Sequence, residues 1–173
     1  MSDRSQEFLC KAMELAKESG AFFEKTLHSC GDGLGREVFD LLADQGSQHK
    51  ERIGEIYDAL RRGSDWEGAC SLDEADVQNV QDVFQAMAEK YAPKGSCATE
   101  LTAARAALDL QAAAVGLYDV WLEESEEGQE QRFVNRMIGE LREQRVLLAD
   151  LIEYYEDPEG WAMAQERGGL DGA

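Results

Sequence analysis

Two histidines, His28 and His49, and four cysteines, Cys10, Cys30, Cys70 and Cys97, are the nitrogen and sulfur donors of this chain, set among 36 acidic side chains. An imidazole can ligate a metal or move a proton near neutral pH. Thiolates bind zinc or iron when they come in close pairs, but these four are widely spaced and no CxxC pair occurs. Neither a zinc knuckle nor a four-cysteine iron centre is encoded, and reduced, mostly buried thiols are expected. His28 stands two residues from Cys30, which is too few donors for a metal; a hydrogen bond or favourable charge at a helix C-terminus accounts for it. His49 has two readings. It is a core histidine bonded to a glutamine or to water, or it is a ligand or acid/base group.

The elements that must position these residues are helices. Apolar residues recur at helical spacing over about 6–29, 36–60, 98–124 and 129–155. The first stretch aligns Phe8, Ala12, Leu15, Ala16, Ser19, Phe22, Phe23 and Leu27 on one face. The second aligns Val38, Leu41, Leu42, Gln45, His49, Ile53, Ile56 and Leu60, and Arg61, Arg62 and Gly63 end it as a basic last turn with a glycine cap. The third turns Leu101, Ala104, Leu108, Gln111, Val115, Tyr118 and Leu122 inward. The fourth does so with Phe133, Met137, Leu141, Gln144, Leu148, Leu151 and Ile152. Residues 65–97 form a long connection with a shorter helix, capped by Ser71 or Asp73 and carrying Val77, Val80, Val83, Phe84, Met87 and Tyr91. Such a connection starts the third helix at the far end of the bundle, the one-crossover topology of ferritin-like folds.

The two helix pairs match each other at one offset of about 95 residues without a gap: Ala12 meets Ala107, Leu15 meets Leu110, Phe23 meets Tyr118, Leu42 meets Met137 and Ile53 meets Leu148. One register kept through two helices and their loop reads as an internal repeat. The fold expected is all-α, a single four-helix bundle over 1–163, with 164–173 as a flexible tail.

On the segments LAKESGAFFEKTL, VFDLLADQGSQHKERIGEIY, LDLQAAAVGLYDVWL and FVNRMIGELREQRVLLADLIEYYEDPEGW, the chain resembles the rubrerythrin branch of the ferritin-like proteins over essentially its whole length. Such proteins hold two irons with one Glu from each of two helices and an ExxH pair from each of the other two. Carried over position by position, the resemblance puts the first-helix Glu on Ala16 and the third-helix Glu on Gln111. One ExxH falls on Gly46 and His49, the other on Leu141 and Gln144. Of six ligands only His49 remains, and neutral Ala, Gly, Leu and Gln offer nothing to replace the rest. Iron is the cofactor the analogy would supply, and none is expected to bind at such a site.

The substitutions make sense together, because four buried carboxylates without metal would repel one another and lose hydration. Gln111, Gln144 and His49 are expected to hydrogen-bond across the core. Ala16 and Gly46 leave room for a void or an ordered water beside His49. A mid-helix glycine costs about 1 kcal/mol against alanine, which close helix packing or a small ligand would explain. Among nearby acids, Glu14, Glu18, Asp44 and Asp109 point away from these positions, and Glu140, about 100° from Leu141, at best flanks the core. The aromatic set Phe22, Phe23, Tyr118 and Trp121 is expected to pack in the core or at an interface. Trp161 should fold back on the bundle after Asp157 and Pro158 stop the last helix.

A formal charge of −19 repels phosphate backbones and anionic lipid surfaces, so nucleic acid and membrane are poor partners. The opening residues lack the basic-then-apolar pattern of a signal peptide, and a cytoplasmic protein is expected. The expected role is a non-enzymatic scaffold or interaction module, a homodimer by analogy. The alternatives are a diiron-type oxidoreductase using a rearranged site around His49, or a small-ligand binder using the vacated core.

Overall fold

The computed structural model describes residues 2–27, 31–70, 80–90, 98–125, 128–161 and 163, and among these no strand occurs. Four long helices, α1 (Asp3–Leu27), α2 (Leu34–Arg61), α5 (Ala98–Glu124) and α6 (Gln129–Glu156), carry the fold. Two short ones, α3 (Trp66–Ala69) and α4 (Val80–Ala88), lie in the long connection. At ~1.5 Å per residue each long helix spans roughly 40 Å.

Side-chain pairs give the directions. The amide of Gln6 donates to Tyr57 Oη, joining the start of α1 to the end of α2. Arg4 reaches Glu124 at the end of α5, and Arg105 reaches Glu156 at the end of α6. Arg52 on α2 holds Glu140 on α6. Each neighbouring pair is therefore antiparallel. Because α2 ends where α5 also ends, the connection from Arg61 to Ala98 runs the length of the bundle, as the spacing predicted.

Glycine closes α2 as expected. Gly63 takes φ +98°, its N–H donates to Leu60 O and that of Ser64 to Ala59 O, a Schellman ending that a side chain at Gly63 would strain. The predicted cap residues Ser71 and Asp73, with Val77 and Tyr91, lie outside the described residues, as do His28, Cys30, Cys97 and the tail 164–173. Of the shorter helix, Phe84 is buried and packs its edge on Tyr154 and Trp161. Trp161 itself returns to the bundle, 5.3 Å from the ring of Tyr154.

One expectation about the core is corrected. On α5 the fully buried row is Ala104, Ala107, Gln111, Ala114, Val115, Tyr118 and Trp121, while Leu101, Leu108 and Leu122 are only partly buried. The small alanines face inward and the leucines flank them, which shifts the buried stripe around the helix. The aromatic set packs in the core, as expected, and does so in two clusters. Trp121 stacks between Phe8 and Tyr118 at 5.5 and 5.7 Å, whereas Phe23 joins Phe22 and Phe39 in a second cluster. One apolar cluster centres on Phe8, Ile53, Trp121 and Phe133. The other centres on Phe23, Phe39, Phe84 and Leu148. A polar layer separates them.

Candidate functional site

That layer contains all six positions singled out from the sequence. Ala16 of α1, Gly46 and His49 of α2, Gln111 of α5, and Leu141 and Gln144 of α6 line one internal cavity. These are the positions onto which the resemblance carries the family's ligands, and they come from four separate helices. The space open to the centre of a water molecule is about 20 Å³, enough for one or two waters and too small for a drug-sized ligand. A methyl group added to Gly46 would meet the backbone of Gly20 at an ordinary 3.6 Å, so the packing of α1 on α2 leaves room for alanine there.

The expected three-membered network across the core is corrected to two separate pairs. Gln111 Nε2 donates to Gln144 Oε1 at 2.7 Å, joining α5 to α6. His49 shares the cavity with both glutamines but hydrogen-bonds to neither. Its Nε2 lies 3.0 Å from Glu140 Oε2, a distance of ion-pair contact, but the ring N–H is not aligned well enough to count as a hydrogen bond. Gln111 Oε1 is buried without a hydrogen-bond partner. A water in the adjoining cavity is the natural donor to it.

Glu140, expected only to flank the core, proves to be the hub. Arg52 Nη1 donates to both of its oxygens at 2.8 and 3.1 Å, and Arg136 Nε donates to Oε1 at 2.9 Å. Burial alone would push this carboxyl up, but His49, Arg136 and Arg52 together outweigh it and hold it down at about 2. The histidine expectation missed this because Glu140 precedes Leu141 in sequence and belongs to the edge of the helix face. Signals were present. Arg136 and Glu140 are four residues apart on α6, and Arg52 follows His49 by three on α2, spacings that put each pair on one face. The same group opens to a surface pocket of about 260 Å³ between α2 and α6, into which His49 and Gln144 also project.

The donor set does not suit the dinuclear iron centre of the resembling family. One imidazole and two glutamine amides face the cavity, with no carboxylate at any of the four positions that would carry one. Among the described residues, no group of three or more His, Cys, Asp and Glu side chains comes together as a metal site would require. Two guanidinium groups beside His49 oppose any cation there. None of the described helices is long and apolar enough to cross a membrane. Compared with protein-family models, curated proteins and solved structures, the chain returned no match.

Proposed function

We infer that this chain is a ferritin-like bundle of the rubrerythrin type whose iron centre has given way to a neutral hydrogen-bonded core, leaving a non-catalytic scaffold or interaction module. The observation that carries the reading is the convergence of Ala16, Gly46, His49, Gln111, Leu141 and Gln144 on one cavity of about 20 Å³. Convergence supports the family register, and the neutral side chains argue against iron. The antiparallel helix pairs and the long crossover are also what that family would need.

The same geometry weighs against the two alternatives. A rearranged metal site around His49 would have to compete with Arg52 and Arg136 for Glu140. A small-molecule site in the vacated core would need a volume well beyond one or two waters. A homodimer belongs to the reading by analogy, and the exposed face of α5 with Ala106, Ala113, Gly116 and Val120 suits close approach of a second copy.

Iron analysis tests the reading. Protein produced with iron supplied, passed through gel filtration and analysed for metal should carry far less than one iron per chain and show no oxo-bridged diiron absorption. Two irons retained per chain would overturn it.

A further inference from the structure

At the end of the bundle where α1 begins, a pocket of about 290 Å³ is walled by Phe8, Trp66 and Trp121 and lined by Arg4, Glu124 and Glu130. It is remote from the polar layer and takes no part in the reading above. Its charged residues are one cation and two carboxylates, a balance of −1. Arg4 places its guanidinium 5.2 Å from the centre of the Phe8 ring. The same guanidinium grips Glu124 as a fork, with Nη2 2.7 Å from Oε1 and Nε on Oε2. Cation over ring and fork on carboxylate are the two contacts by which proteins hold flat organic cations.

We propose that this pocket binds an organic monocation, a guanidinium or amidinium group on an apolar body, with Arg4 as its internal competitor. The ring available to a ligand is Trp66, which is half-buried, because Trp121 is fully buried and stacked with Phe8 and Tyr118. The outer face of Phe8 becomes available when Arg4 swings away. Apart from its contact with Phe8, Arg4 is held by exposed ion pairs, with its side chain 54% exposed, and such pairs are weak and screened by salt. Glu130 is held in place by the N–H of Trp121, which donates to its Oε1 at 2.8 Å, and so presents a fixed negative charge. The strongly acidic chain raises the local concentration of any cation.

Calorimetric titration with benzamidine, a flat cation on an aromatic body, tests the proposal against its neutral isostere benzamide in low salt. Benzamidine should bind about tenfold or more tightly than benzamide, and Arg4→Ala should tighten it several-fold by vacating the Phe8 face. Trp66→Leu and the isosteric Glu124→Gln should each weaken it by about tenfold; the glutamine variant carries the test if the leucine variant does not fold. Equal affinity for the two probes, an Arg4→Ala chain that binds benzamidine no tighter than the natural one, or full affinity in Glu124→Gln would overturn it.

Discussion

Replacing Glu140 by glutamine keeps the shape of the side chain and removes its charge, which makes it a direct test of the hub between α2 and α6. The carboxyl falls from an ordinary 4.5 to about 2 in the folded chain. At ~1.4 kcal/mol for each tenfold change in proton affinity, that difference corresponds to ~3 kcal/mol of folding stability. The side chain is 29% exposed, so solvent screening makes this an upper figure. The sign follows from the depressed value. The contribution is fully present above about 4.5 and is lost as pH falls through about 2, where the protonated acid resembles the glutamine. Urea unfolding of the natural chain and Glu140→Gln at pH 7 should therefore differ by ~2–3 kcal/mol. The gap should narrow steadily between pH 4.5 and 2 and nearly close at the lower limit. For a chain of this length the difference at pH 7 corresponds to roughly 5–10 °C in Tm. A gap below 0.5 kcal/mol at pH 7, or one that stays constant across the acid range, would refute the assignment of Arg52, Arg136 and His49 as the partners that hold this carboxylate.

Two further outcomes follow from buried geometry. Gln111→Leu and Gln144→Leu should each cost ~1–3 kcal/mol, because each strands a buried amide, while the double variant should cost less than the sum and approach either single value; additive costs in urea unfolding would mean that the 2.7 Å bond contributes nothing. Gly46→Ala should be neutral or stabilising by up to ~1 kcal/mol, since its methyl meets Gly20 at 3.6 Å. Gly35→Ala should instead cost ~1–3 kcal/mol, because its methyl would lie 2.8 Å from Glu100 and from the Tyr155 hydroxyl. That hydroxyl accepts from Gly35 N–H and donates to the buried Glu100 at 2.6 Å. Thermal unfolding of both glycine variants checks the contrast, and equal shifts would contradict it.

The sequence by itself determined the all-helical architecture, because helical periodicity is a local property written into each stretch of residues. The resemblance read from it singled out Ala16, Gly46, His49, Gln111, Leu141 and Gln144, and the 95-residue repeat pairs them between the two halves of the chain. Only the tertiary structure decided what those side chains do. His49 pairs with Glu140 rather than with the glutamines, at 3.0 Å, because how two helix faces meet is set by their packing and not by the periodicity of either. The buried row of α5 falls on alanines rather than leucines for a related reason, since close approach favours small side chains and hydropathy does not encode distance. The pocket around Arg4, Trp66 and Glu130 joins residues from three distant parts of the chain. Such a meeting is a property of packed helices, and no window of sequence contains it.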